Sequence, residues 1–189
     1  MKRIAIFASG SGTNFEALVT ACENKKINAE VVLLVCDKKK AYVIERAKNH
    51  NIDTFVFNPK KYESKEAYET EIVKKLEEYQ IDLVCLAGYM RLCGDTILSK
   101  YEGRIVNIHP ALLPAFKGAH AIYDSYTYGV KVFGVTIHFI DHEMDCGTII
   151  AQRAFDYIEG QTLEEVEAKI HEIEHELYPE VVQKLCEGD

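Results

Sequence analysis

The sequence has no uninterrupted apolar stretch near the roughly 18 residues that a membrane helix needs. Its opening, Met1-Lys2-Arg3-Ile4, runs straight into a strand pattern instead of the apolar segment of a signal peptide. A cytoplasmic protein without a membrane partner is the expectation. No CxxC pair occurs among Cys22, Cys36, Cys85, Cys93, Cys146 and Cys186, so the usual sign of structural zinc or dithiol redox chemistry is missing. Most of these thiols read as reduced packing residues. Cationic excess is missing too: Lys plus Arg total 22 against 30 Asp plus Glu, a net charge of −8, contrary to the broad basic face of a general nucleic-acid binder. The acidity is local, with 11 acidic and 2 basic residues in 156–189, against 20 basic and 19 acidic residues in 1–155. An anionic small-molecule substrate on the larger part is compatible with that distribution. No internal repeat, low-complexity tract or linker interrupts the chain.

What is present suits one domain over residues 1–189, 48% apolar and 28% charged, with a sizeable core. Short β-branched apolar runs at 3–8, 31–36 and 82–87 read as strands buried on both faces. Helical spacing of apolar residues marks 13–25, 41–50 and 64–79, and a short strand lies around 54–57. This alternation predicts an α/β fold, doubly wound with right-handed crossovers and helices on both faces. Further strands are expected at 104–109, 133–140 and 148–155. The short connection 141–147 makes the last two antiparallel, so the sheet is mixed but mostly parallel. A terminal helix is expected over 162–186, with Pro179 disturbing its last third.

Three clusters bear on chemistry. Ser9-Gly10-Ser11-Gly12-Thr13-Asn14 ends the first strand and opens a helix, where free amides and the helix dipole favour a phosphate. It is a cradle without a lysine, neither a P-loop nor a full GxGxxG, since Phe15 stands at the third glycine. Alone, such a loop is equally an ordinary strand-to-helix turn. In the second cluster, Asn107 and His109 share one face of a strand, and Pro110 keeps His109 out of helical geometry. They stand at the carboxyl end of that strand, where open α/β sheets bind ligands. A histidine capping a strand by bonding to backbone is the bland alternative. The third cluster, residues 141–147, is an acidic loop: either a solvated turn or the source of a carboxylate that keeps an imidazole charged.

One literal motif is set aside. His171-Glu172-Ile173-Glu174-His175 fits H-E-x-x-H, but Tyr178 and Val181 stand where the metzincin extension requires glycine and histidine, and few residues remain for a third zinc ligand. No metal is expected, and these side chains read as a polar helix face.

Taken together, the residues resemble the folate-dependent formyltransferase family over nearly the whole chain: the first glycine-rich turn, Ala87-Gly88-Tyr89-Met90-Arg91, Asn107-Ile108-His109-Pro110 with Leu112-Leu113-Pro114, Glu174-His175 and Tyr178-Pro179. The glycine-rich turn points to the branch that formylates glycinamide ribonucleotide, because that phosphate needs a cradle. The resemblance implies a Rossmann-like formyltransferase fold and transfer from 10-formyltetrahydrofolate, through a tetrahedral oxyanion, to the ribonucleotide amine in purine biosynthesis. It assigns catalysis to Asn107, His109 and Asp145, and ribonucleotide binding to Gly12, Thr13, Asn14 and Glu174. Folate binding falls to Lys65, Met90, Arg91, Leu92 and Cys93, with Asn107 and the loop residues Asp141, His142, Glu143 and Met144. Lys65 stands where the family often has arginine, a more bidentate partner for a folate tail. Ala111 replaces the serine common after His-Pro, and Cys146 stands where glycine or alanine often follows the aspartate.

Small-molecule substrates, no nucleic acid, and a monomer or homodimer are the implied partners. A formyltransferase acting on tRNA carries an added C-terminal domain, whereas this sequence ends in an acidic helix. A formyltetrahydrofolate hydrolase carries an N-terminal regulatory domain, whereas this strand begins at Arg3. A non-catalytic folate or nucleotide binder leaves Asn107, His109 and Asp145 without a common purpose.

Overall fold

A strand segment made wholly of apolar residues needs cover on both faces, and residues 4–8 of β1 (Lys2–Ala8), which follow the charged Lys2 and Arg3, obtain it, with Ala5 through Ala8 all 0% exposed. The computed structural model describes residues 1–142 and 147–188. One sheet contains β1, β2 (Ala29–Cys36), β3 (Asp53–Val56), β4 (Leu83–Leu86), β5 (Ile105–His109), β6 (Val132–Phe139) and β7 (Ile149–Asp156), in the order β3-β2-β1-β4-β5-β6-β7. The strands β1 to β5 are parallel; β6 is antiparallel to β5, and β7 to β6. The mostly parallel mixed sheet expected from sequence is borne out.

Among the described residues six α-helices accompany it: α1 (Thr13–Glu23), α2 (Val43–Asn49), α3 (Lys65–Glu78), α4 (Asp95–Leu98), α5 (Ala121–Tyr128) and α6 (Leu163–Glu187). Successive strand residues point to opposite faces, and the core divides accordingly. Ile4, Ile6 and Ala8 pack with Phe15 and Leu18 of α1 and Ile170 and Leu177 of α6. Ala5 and Phe7 pack on the other side with Tyr68, Ile72 and Leu76 of α3 and Ile97 of α4. In β5, Val106 and Ile108 join the first cluster while Ile105 joins the second. Asn107 and His109 therefore share the face that α3 and α4 cover further along the sheet.

Two expectations change. Helix α6 is uninterrupted through Glu187 although Pro179 lies inside it. Proline removes the donor that the His175 carbonyl would have received and costs an isolated helix about 3 kcal/mol. Burial of Tyr178, Val181, Val182 and Cys186 on either side of that turn outweighs it. Thr162 and Glu165 close the helix start with reciprocal 3.2 Å hydrogen bonds. The helices α4 and α5 were not anticipated. The former is four residues long, and the latter, AIYDSYTY, is poor in helix formers; it holds because Ile122 and Tyr126 pack on the core and Gly129 ends it at φ 90°. Among the described residues, no helix is long and apolar enough to cross a membrane.

The Tyr178 hydroxyl, fully buried, donates to the Leu86 carbonyl at 2.8 Å, with the Val106 carbonyl 3.3 Å away. It ties α6 to the ends of β4 and β5. Replacing Tyr178 by Phe strands these acceptors, and urea denaturation is expected to show a loss of about 1–2 kcal/mol.

His50, just past α2, bridges two carboxylates of α1, with Nε2 2.8 Å from Glu16 and Nδ1 2.9 Å from Glu23. Burial opposes charge on this ring, but the hydrogen bonds and charges of Glu16 and Glu23 prevail and raise its pKa. A raised folded-state pKa gives stability that is complete below the unfolded value and fades as pH rises through the folded one. The stability deficit of His50→Ala is thus expected to be greatest in acid, roughly 0.5–1 kcal/mol more than in alkali, and to shrink as pH rises through the raised pKa, as read from denaturation midpoints across pH.

Candidate active site

Strand order reverses at β1, which has β2 on one side and β4 on the other. The loops leaving β1 and β4 therefore part at their carboxyl ends. A cavity of about 490 Å³ opens between them and extends over β5 and β6 to α6, a volume within the range of small-molecule sites.

At one end lies the loop from Ser9 to Asn14. Gly12 caps α1 in the left-handed region, φ 80°, and a Cβ there would come within 2.4 Å of Val43 Cγ2. Whereas Ser64 and Thr162 cap α3 and α6 with side-chain oxygens, α1 has no side-chain cap. The amides of Ser11, Gly12, Thr13 and Asn14 have no hydrogen-bond acceptor among the described residues, so the first turn is left as donors. Opposite stands Glu174 of α6, 5% exposed, 3.5 Å from Asn14 Nδ2 and 2.7 Å from His171 Nδ1. The hydrogen bond to Glu174 raises the His171 pKa against the effect of burial. Asn14 Oδ1 is buried without a partner among the described residues, an acceptor open to a ligand hydroxyl or amine.

In the middle stand Asn107 and His109. The register of β5 on β6 sets Asn107 opposite His138 and His109 opposite Thr136. Asn107 Nδ2 donates to His138 Nε2 at 3.2 Å, and His138 Nδ1 donates to the Phe139 carbonyl at 3.0 Å. Together these bonds fix the orientation of the Asn107 amide. His109 Nε2 donates to the Phe116 carbonyl at 2.8 Å. The chain between them is held by Thr136, whose hydroxyl donates to the Ala111 carbonyl at 2.7 Å and accepts from the Leu113 amide at 3.1 Å. Ala111 is buried there.

At the far end, residues 88–93 with Ile140, Asp141 and His142 close the cavity. Glu69 accepts from the Gly94 amide at 2.8 Å beneath this loop. A Cβ at Gly94 would meet Glu69 Oε1 at 2.9 Å, so glycine is what lets the carboxylate reach the backbone. Burial, with the charge of Glu69, pushes the Cys93 thiol up to about 12, so Cys93 packs as a neutral thiol.

The two ends share a hinge of polar atoms. The Ser9 hydroxyl donates to Asp37 Oδ1 at 2.5 Å and accepts from the Met90 amide at 2.9 Å, while Arg91 Nε donates to Asp37 Oδ2 at 2.9 Å. The Asp37 side chain is 0% exposed.

Of the residues singled out from sequence, Gly12, Thr13, Asn14, Met90, Arg91, Leu92, Cys93, Asn107, His109, Asp141, His142 and Glu174 line this one cavity. Lys65 does not; it begins α3, with its Cε near Gly94. Glu143, Met144, Asp145 and Cys146 lie outside the described residues. Reading by motif missed Asp37, His138 and His171. His138 was findable once β6 was paired against β5, and His171 from its position three residues before Glu174 on one helix face. Asp37 carried no signal beyond opening a charged run with Lys38, Lys39 and Lys40.

The formyl transferase family profile matches residues 2–182. The chain belongs to the formyl transferase family. The phosphoribosylglycinamide formyltransferase of Bacillus subtilis is 51% identical over 98% of this chain and 95% of its own. The trifunctional purine biosynthetic protein adenosine-3 of Gallus gallus is 38% identical over 98% of this chain but only 18% of its own length. The solved glycinamide ribonucleotide transformylase 1 of Geobacillus kaustophilus superposes with a TM-score of 0.96 at 55% identity, covering 98% of this chain and 99% of that one. The Bacillus halodurans phosphoribosylglycinamide formyltransferase gives 0.96 and 55% over 99% and 96%. Membership in this formyl transferase family, drawn from the motifs, is borne out over the full fold.

Asp37 offers a test of how this formyl transferase orders its loops. In Asp37→Asn the bond to Ser9 has an acceptor but the charge facing Arg91 is gone. We expect a loss of about 1–2 kcal/mol in urea denaturation; an unchanged midpoint would show that the ion pair adds nothing to the fold.

Proposed function

We propose that the protein transfers the formyl group of 10-formyltetrahydrofolate to the amine of glycinamide ribonucleotide, as a phosphoribosylglycinamide formyltransferase. The observation that carries this reading is a single cavity with open amides at one end, backbone-rich loops at the other, and Asn107 and His109 between. The ribonucleotide phosphate sits on the amides of Gly12, Thr13 and Asn14, with Glu174 accepting hydrogen bonds from the ribose. The pterin lies against residues 90–93 and the loop at 141–144, and Lys65 meets the folate tail.

The amine lone pair attacks the formyl carbon, whose C=O electrons move to oxygen. The Asn107 amide and the His109 ring stabilise that oxyanion in place of bulk water, each preorganised donor being worth about 3 kcal/mol of barrier. His138 acts as a positioning residue, holding the Asn107 amide with nitrogen toward its ring. Collapse of the intermediate breaks the bond to the folate nitrogen, and the proton lost by the amine passes to that nitrogen through water with the help of Asp145. No group in this sequence of steps is a covalent nucleophile or a metal.

A spectroscopic assay following folate deformylation tests the reading. Turnover is expected only with glycinamide ribonucleotide present; folate consumption without it identifies a hydrolase, and none in either case a binder. His109→Ala and Asp145→Ala are expected to lower kcat by at least about a hundredfold with unchanged circular dichroism, and near-normal turnover in either overturns the mechanism. Changes at Thr13 or Asn14 should instead raise the Michaelis constant for the ribonucleotide.

A further inference from the structure

The cradle lacks the lysine that holds phosphate in a P-loop, yet two carbonyls of its loop are anchored from behind by α2. The Val43 amide donates to the Gly10 carbonyl at 3.1 Å, and Arg46 Nε donates to the Ser11 carbonyl at 2.7 Å. In a trans peptide the C=O of one residue and the N–H of the next point in opposite directions. Anchoring Gly10 O toward α2 therefore turns the Ser11 amide away from it, and anchoring Ser11 O does the same for Gly12. The cavity lies on that far side: Ser11 and Gly12 line it, and no residue of α2 does. Arg46 is itself pinned. Its Nη1 is 3.5 Å from Glu16 Oε1 of α1, and its guanidinium lies 5.0 Å from the Tyr42 ring centroid. Glu16 in turn is held by His50 at 2.8 Å. The guanidinium thus brings a fixed positive charge to the back of a loop whose front is all donors.

We propose that Arg46 is a positioning residue for the anion cradle: it never touches the phosphate, but by holding the Ser11 carbonyl it keeps the Gly12 amide aimed at the phosphate of the substrate. This rests on the ribonucleotide reading for the identity of the ligand, though not for the geometry. It accounts for a phosphate site built from backbone alone, in which the loop has few side chains to stiffen it and the stiffening comes from the next helix in the chain.

The test compares wild type, Arg46→Ala and Arg46→Lys, the lysine keeping the charge but not the planar, multi-donor geometry. Steady-state kinetics are expected to show the ribonucleotide Michaelis constant raised about tenfold in Arg46→Ala, less in Arg46→Lys, with that for the formyl folate within about twofold. An unchanged ribonucleotide constant, or an equal change in both constants, overturns the proposal, the latter because it marks a general structural defect. A second measurement is independent of the reaction. In amide NMR with ribose 5-phosphate as probe, wild type is expected to shift at Ser11, Gly12, Thr13 and Asn14, and Arg46→Ala to need about tenfold more probe for the same shifts at Gly12. If wild type shows no ribonucleotide-dependent turnover yet these shifts occur and depend on Arg46, the functional reading fails and the positioning role stands. If the probe moves none of these amides in wild type, or moves them equally in the variant, the positioning role fails.

Discussion

Where a parallel sheet reverses its strand order, the loops leaving the two central strands turn to opposite faces, and the gap between them has no chain to fill it. That constraint decides where this protein has a cavity. It also creates a mechanical difficulty, because the loops after β1 and β4 must stay in register while diverging. Asp37 resolves it from the end of β2: one carboxylate oxygen takes the Ser9 hydroxyl and the other the Arg91 guanidinium. Because its side chain has no exposure, those bonds are made where an unmatched charge is most costly. The loops can depart from each other only by leaving that charge unpaired.

The electrostatics of the cavity run against the composition. The chain is acidic overall, and most of the excess lies in the segment that forms α6. Yet the cavity at the first turn of α1 is rich in donors: the four amides at the start of that helix, with Lys38 and His171, whose pKa is raised, also in the lining. The local field there is opposite in sign to the net charge, an arrangement that suits the anionic substrate proposed above. Glu174, the one buried carboxylate of α6 at the cavity, is already engaged by His171, so its charge is partly offset within the helix.

Much of this was legible in the sequence, for identifiable reasons. Buried strands announce themselves as β-branched runs, and the period of two is enough to place Asn107 and His109 on one face. The glycine-rich turn marked the cradle because only glycine takes the backbone of Gly12 against Val43. What escaped depends on pairing across long separations. His138 acquires meaning only through its register opposite Asn107, 31 residues away, and Asp37 only through contacts 28 and 54 residues off. Helix α5 escaped because its residues prefer other conformations, and tertiary burial of Ile122 and Tyr126 decides the matter. The same override keeps α6 continuous through Pro179, where local preference argued for a disturbance.

Transfer between two small molecules demands that both be held still at once, and the entropy of holding them must be met somewhere. Here it is met largely during folding. Ser9 is the common point: its amide donates to the Gly88 carbonyl at 3.1 Å, its hydroxyl accepts from Met90, and it starts the loop that Val43 and Arg46 anchor from behind. The loop proposed to hold phosphate and the loop proposed to hold pterin are thus parts of one hydrogen-bonded unit. Asn107 and His109 stand on an adjoining strand whose side chains are oriented by His138 and by the Phe116 carbonyl. A site ordered in this way spends little of its binding energy on organising itself, so more of it remains for the transition state.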